Sequence, residues 1–349
     1  MTGPKLPPKL AAHPSVRAVL AQRRTSPPAV IDATWLRDLC LAAGADDVAA
    51  VSLDHADLAG EREHALSALP GTRSLIAMAF RMNRDNCRSP ARSVANQEFH
   101  QAGEHADHTA RSVTQALQDA GYRALNPSVG FPQEMDRYPG RIWVVAHKTV
   151  AVAAGLGVMG LHRNVIHPKF GSFVLLATVL VDAPVSEYGQ ALDYNPCIDC
   201  KLCVAACPVG AIRKSGEFDG LACATHNYRE FMSGFTDWVQ TVADSEDAAD
   251  YRSRVTDSES ASMWQSLASP PGYKSGYCVA VCPAGEDVLG PYLDDRKTFM
   301  DTVLRPLQDK KETLYVLPGS AAQEHAQRRF PHKPTNEVSG GWLPPKPRS

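Results

Sequence analysis

Asn195-Pro196-Cys197-Ile198-Asp199-Cys200-Lys201-Leu202-Cys203-Val204-Ala205-Ala206-Cys207-Pro208 sets four cysteines at the spacing C-x2-C-x2-C-x3-C-P. Bacterial iron–sulfur loops hold a 4Fe–4S cubane with this run. Three closely spaced thiolates wrap one cube, each meeting a different iron, and the fourth, ahead of proline, reaches a second cluster. Structural zinc takes two separated ligand pairs instead of four crowded cysteines. A radical S-adenosylmethionine loop needs C-x3-C-x2-C, which neither Cys203/Cys207 nor Cys278/Cys282 completes. One-electron transfer is the chemistry these residues imply.

A second half-motif, Tyr277-Cys278-Val279-Ala280-Val281-Cys282-Pro283, follows a long polar insert, and Cys223 lies between the two. Two-cluster ferredoxins cross their ligands, each cluster taking its last cysteine from the other motif. By that pattern Cys197, Cys200, Cys203 and Cys282 hold cluster one, while Cys207, Cys223 and Cys278 hold cluster two. The fourth ligand of cluster two falls at Ser275, where there is no thiol. Either that centre is 3Fe–4S instead of 4Fe–4S, or Ser275 or His226 ligates it, or Cys87 or Cys40 arrives from the first domain. An empty, vestigial site is the remaining alternative. Cys40 falls in an amphipathic segment and reads as a small buried hydrophobe.

The rest of the chain is ordinary for a soluble protein. Its 349 residues suit two domains, and 44% hydrophobic and 21% charged residues are globular values. A net charge of −2 gives no strong nucleic-acid signal and no pull toward an anionic membrane. The longest nearly apolar run, 150–161, is too short to span a bilayer. Gln22-Arg23-Arg24-Thr25 lacks the apolar stretch of an export signal. Nine clustered cysteines suit metal binding under reducing conditions, so a cytoplasmic protein is expected.

Patterning divides the chain into a disordered lead-in over 1–28, an α/β cofactor domain over 29–190, and a ferredoxin-like iron–sulfur domain over 191–300 with a helical insert at 227–267. A C-terminal strand, helix and tail fill 301–349, the tail at 343–349 reading as disordered. Periodicity predicts helices over 31–43, 109–120, 147–154 and 321–329. Strands are expected over 74–80, 142–145, 173–181 and 313–317, with 173–181 central because it is apolar on both faces. Alternating helices and strands over 31–182 imply a layered domain.

Ala154-Gly155-Leu156-Gly157-Val158-Met159-Gly160-Leu161-His162-Arg163, read with Phe170-Gly171-Ser172-Phe173, Asp182 and the cysteine run, resembles the epoxyqueuosine reductases and, more distantly, the corrinoid reductive dehalogenases. The likeness spans roughly residues 70–290. It implies an α+β protein in which a nitroreductase-like cobalamin-binding domain precedes a two-cluster ferredoxin-like domain. Gly155, Gly157 and Gly160 would then line a flat tetrapyrrole, with His108 and Arg163 as further cofactor contacts. Without the resemblance, the glycines read as a weak dinucleotide fingerprint or as points where backbones pack closely. The family's R-x-F-V-D-T-G-P segment carries an aspartate general acid; its counterpart is Arg141-Ile142-Trp143-Val144-Val145-Ala146-His147-Lys148, with Val145 in the acid's place. Valine moves no proton; His147, Lys148 or Asp136 is the expected substitute, and a family relative with a different substrate is expected.

Glu98-Phe99-His100-Gln101-Ala102-Gly103-Glu104-His105-Ala106-Asp107-His108 clusters three histidines and reads as a polar helix N-terminus, with His108 alone given a pocket role. The leading function is an iron–sulfur oxidoreductase that relays single electrons to cobalamin or a substrate in the first domain. An electron carrier or reductive activator of a partner protein is the second reading, and a flavin mononucleotide (FMN) reductase the third. Expected partners are a ferredoxin or flavodoxin donor and a small-molecule or modified-nucleoside substrate.

Overall fold

The computed structural model describes residues 6–21, 26–138 and 140–338. Four strands form one antiparallel sheet in the order Asp47–Ser52, Ser74–Arg81, Val174–Val181, Ala124–Leu125. Ser74–Arg81 and Val174–Val181 pair along their whole length, Ala77 opposite Thr178, and are almost continuously buried. The burial is two-sided because side chains alternate along a strand. Ile76, Met78 and Phe80 pack with Val113 and Leu117 of the Arg92–Asp119 helix and with Leu36 and Cys40 of Ala33–Ala43. Leu75, Ala77 and Ala79 face the other way, onto Val150 and Ala151 of the His147–Ala153 helix. The central strand expected over 173–181 is therefore in place, within an antiparallel sheet covered by helices on both faces.

Local signals explain the element ends. Asp32 caps Ala33–Ala43 by accepting from Trp35 N, and Gly44, at φ 122°, closes it. Ser320 caps Ala321–Arg329 through Gln323 N, and Leu314–Val316 pairs in parallel with Thr335–Glu337. Among the described lead-in residues, two short helices, Pro8–Ala11 and Pro14–Ala21, bury no side chain. The expected tail at 343–349 lies outside the described residues.

Two expectations need correction. The apolar run 142–145 is loop, not strand: the Arg141 guanidinium donates to the carbonyls of Trp143 and Val144, so ladder acceptors are taken by a side chain. Glu61 fixes the same loop by pairing with Arg141 and accepting from Ala146 N at 2.8 Å. The helix expected over 109–120 is the second half of the 28-residue helix Arg92–Asp119, so His100, His105 and His108 lie within a helix and not at its start.

A second core joins the cysteine segments to the C-terminal part of the chain: Leu202, Ala206, Ile212, Tyr277 and Val281 pack with Leu307, Leu314 and Phe330. The insert forms three helices, Met232–Ala243, Ala248–Arg254 and Asp257–Ala268. Buried Arg229 ties the first to the third by pairing with Asp237 and Glu259.

Candidate functional site

The cysteine loop bends because Asp199 and Lys201 adopt left-handed backbone, φ 56° and 54°, between successive cysteines. Lys201 then starts the short helix Leu202–Ala206, which presents Cys203 and ends at Cys207. The second half-motif repeats this design. Gly276, at φ 64°, starts Tyr277–Ala280, which presents Cys278 and leads to Cys282. The two short helices pack on each other, so the motifs meet despite their separation in sequence.

Cys197, Cys200, Cys203 and Cys282 line one cavity of about 500 Å³, together with Gly160, Leu161, His162 and Arg163. Leu161 N donates to Cys197 Sγ at 3.4 Å. A second group forms behind it, where Cys278 lies within electrostatic reach of Cys223 and Cys207. Ala211 N donates to Cys207 Sγ at 3.2 Å. Burial pushes the Cys203 and Cys223 thiols up to about 12, and neighbouring sulfurs push them the same way. Thiols held this way become thiolates only when cations sit among them, which is the coupling of ligand ionisation to metal binding. Among the described residues, no three His, Cys, Asp or Glu side chains are grouped to share a single metal ion.

The candidates for a further ligand of the second group sit differently. Ser275 is buried and donates from Oγ to Asn227 Oδ1 at 3.0 Å, an oxygen that also takes the Ser275 and Gly276 backbone N–H. His226 accepts from Tyr315 N at Nδ1, so the neutral ring carries its proton on Nε2, the nitrogen left without a hydrogen-bond partner among the described residues. A ring protonated there presents no lone pair to iron. Cys40 is buried between sheet and helix, in a core that takes in none of the other cysteines. Cys87 packs in the apolar cluster that also takes in Cys278 and Val279.

A larger cavity, about 1010 Å³, opens between the sheet domain and the second cysteine group. Its wall is largely apolar, with Trp143, Val145, Leu175 and Leu176 on one side and Tyr228 and Val279 on the other. His147, Lys148, Glu134 and Asn164 are among its polar groups, with Gln133 and Ser172 also in the lining. His147 uses both ring nitrogens internally, Nδ1 with Thr178 Oγ1 at 2.9 Å and Nε2 with Ser128 O at 3.0 Å. Burial lowers its pKa, so the ring is neutral and donates from Nε2 to the carbonyl. Lys148 Nζ donates to Arg163 O at 2.9 Å and to Asn164 Oδ1 at 2.7 Å, using two of its three donors. Its pKa falls through burial, with Cys278 and Cys223 pulling the other way.

The remaining expected cofactor residues lie elsewhere. At Gly155, φ 81°, an added Cβ would sit 2.2 Å from Gln190 O, and at Gly157 it would sit 2.6 Å from Ile166 O. Both glycines let backbones approach closely. Gly160 and Arg163 line the cavity of Cys197, and His108 is exposed on its helix and lines neither cavity. Sequence reasoning missed Tyr228, which faces the large cavity within electrostatic reach of Cys223 and Cys278. It also missed Asp107, which accepts from Val129 N at 2.8 Å and lies near His147. Nothing in the pattern around either residue marks it.

Geometry and sequence together define a protein with paired iron–sulfur-type cysteine groups beside a large apolar cavity. The 4Fe-4S binding domain family matches residues 191–213, which span the four-cysteine run. The chain is similar to an epoxyqueuosine reductase of Leadbetterella byssophila, 38% identical over 98 residues, covering 27% of this chain and 32% of the relative. An epoxyqueuosine reductase of Synechococcus sp. (strain CC9605) is 28% identical over 180 residues, covering 52% of this chain and 44% of the relative. A solved catabolic reductive dehalogenase aligns with TM-score 0.46 and 15% identity, covering 78% of this chain and 34% of its own. The chain thus resembles the epoxyqueuosine reductases, as its motifs imply, and its matches span about a third to under half of these curated relatives. No helix among the described residues is long and apolar enough to cross a membrane.

Proposed function

We propose that the protein is an iron–sulfur reductase, with one cluster at Cys197, Cys200, Cys203 and Cys282 and a second at Cys207, Cys223 and Cys278. Electrons enter from a small donor such as a ferredoxin or flavodoxin and leave into the large cavity. The observation that carries this reading is the contact from Asn164 Nδ2 to Cys278 Sγ, 3.8 Å, because Asn164 also lines that cavity. A simple electron carrier has no need of such a chamber behind its second cluster.

Cobalamin suits the chamber. Ligand sites run to about 1,000 Å³ and are mostly apolar, and this cavity has that size and character. Val145, Leu175, Leu176 and Trp143 would hold the corrin face. When bound, a low-valent corrinoid would supply electrons to a C–O or C–halogen bond, chemistry no side chain performs. The protein's own part is to exclude water and hold a proton. Val145 is buried and aliphatic, His147 has both nitrogens engaged, and Asp136 does not line the cavity, so Lys148 is the proton holder, with Glu134 and Tyr228 as the other ionisable groups of the wall. A substrate other than the family's epoxyqueuosine fits the loss of the acid at Val145, with a modified nucleoside or another small oxygenated or halogenated molecule as its class. A reducing, cytoplasmic setting suits the free thiols.

Anaerobic purification with iron, sulfide, cobalt and flavin analysis, followed by spectral titration with cobalamin, tests this. Expected are iron and sulfide for two clusters and a spectral change on cobalamin addition. Absence of iron would sink the reductase. Bound flavin with no response to cobalamin would replace the corrinoid.

A further inference from the structure

Arg92 carries a guanidinium whose Nε, Nη1 and Nη2 are all buried with no hydrogen-bond partner among the described residues. Its charge lies over the Tyr277 ring, Cζ 5.3 Å from the centroid. Nη2 comes so close to Gly276 that an added Cβ there would sit 3.3 Å from it. Gly276 and Tyr277 are the two residues between Ser275, where a fourth thiolate is missing, and Cys278. Cys278 and Cys87 are both within electrostatic reach of this charge.

Glu312 lies within electrostatic reach of this charge, yet among the described residues no nearby carboxylate hydrogen-bonds to the guanidinium. Glu312 accepts from Tyr277 Oη at 2.7 Å and from Lys333 Nζ at 2.6 Å. Glu98, across Cys87, accepts from Asn83 N and from the Asn83 and Asn86 amides. Arg88 is satisfied in part: its Nε donates to Ala280 O at 3.1 Å, within the same cysteine segment, while its Nη2 also lacks a hydrogen-bond partner among the described residues. A buried charge without hydrogen-bond partners is unfavourable. A cluster of thiolates and sulfides is an anion rich in acceptors, and guanidinium offers donors only.

We propose that Arg92 is the charge and hydrogen-bond partner of the cluster at Cys207, Cys223 and Cys278, and that it sets that cluster's reduction potential. The inference rests on the two-cluster reading above. A neighbouring cation favours the reduced, more negative cluster, and net charge and hydrogen bonds to sulfur are the levers that set such potentials. Arg92 therefore makes the cluster beside the cavity easier to reduce, which draws electrons inward from the cluster at Cys197.

The test is redox-poised electron paramagnetic resonance on wild type, Arg92→Gln and Arg92→Lys, with the second cluster's signal identified by its loss in Cys223→Ala. In Arg92→Gln the Cys223-dependent signal should move to a more negative midpoint while the other signal stays in place and iron content is unchanged. Arg92→Lys should shift it less. A role in packing alone predicts equal potentials, and equal potentials in a fully loaded Arg92→Gln would overturn the proposal. Should Arg92→Gln not assemble, Arg92→Lys carries the test, and a signal identical to wild type in line shape and midpoint would overturn it equally. Wild-type protein holding iron for only one cluster would defeat the two-cluster reading itself, independently of Arg92.

Discussion

Lys148 Nζ donates to Asn164 Oδ1 at 2.7 Å, and Asn164 turns its amide nitrogen toward Cys278 Sγ. The ammonium in the cavity wall is thereby linked through one side chain to the second cysteine group. An electron arriving at that cluster and a proton held on Lys148 would enter the same chamber from one side. The His147–Ala153 helix supplies Lys148 from its first turn, so the sheet domain sets the position of a group that serves the cysteine domain.

Lys148→Met should therefore separate proton supply from electron supply. Turnover should fall on the order of a hundredfold to ten-thousandfold, the usual cost of losing a positioned acid. Iron content and cluster signals should remain. The measurement is anaerobic turnover with a strong chemical reductant beside iron analysis of the same preparation. Undiminished turnover would move the role to Glu134 or Tyr228, to be checked with Glu134→Gln and Tyr228→Phe.

The crossed cysteine pattern makes a second prediction. Cys282→Ala should remove the same paramagnetic signal as Cys197→Ala, though the two residues belong to different motifs. Cys223→Ala and Cys278→Ala should remove the other signal. Cluster binding is coupled to folding of its loop, so each loss should also lower thermal stability. If Cys282→Ala grouped with Cys278→Ala, the motifs would be uncrossed and the cavity lining misleading.

Gly155 gives a prediction about packing. Its left-handed backbone alone should cost about 1–3 kcal/mol in Gly155→Ala, and the new Cβ would strike Gln190 O. Melting temperature should drop while cobalamin uptake per folded molecule is unchanged, since Gly155 does not line the large cavity. Selective loss of uptake at full stability would support the cofactor role expected of this residue.

How far the sequence could be read depended on whether meaning was local. Cysteine spacing is local, and so are the Asp32 and Ser320 caps and the alternation that buries both faces of Val174–Val181. The run 142–145 misled because a β-branched apolar stretch looks the same whether it fills a sheet or walls a cavity. Its outcome depends on Arg141 and on Glu61, some eighty residues earlier. The Arg92–Asp119 helix follows Ala91, which makes no side-chain cap, so nothing announced its first turns. Arg92 was illegible for a deeper reason: a buried guanidinium without hydrogen-bond partners is defined by what surrounds it in space.

His147 supplies the last prediction, a pH dependence. Its ring is half-buried and burial holds its folded pKa below the ordinary value near 6.5. Between those two values the unfolded chain binds more protons than the folded one, so stability falls as pH drops below about 6.5 and gains nothing above it. His147→Phe removes this titration, and it also leaves Ser128 O and Thr178 Oγ1 without their partner. At pH 7.5 the variant should be less stable than wild type by about 1–3 kcal/mol, the cost of unpaired buried polar groups. Toward pH 5.5 the difference should narrow, because only wild type must then take up a proton at this site. Urea unfolding midpoints of both proteins across that range give the comparison, and acid lability of the clusters, common to both, cancels in it. Parallel curves would show that His147 titrates at its ordinary value and that its ring is open to water.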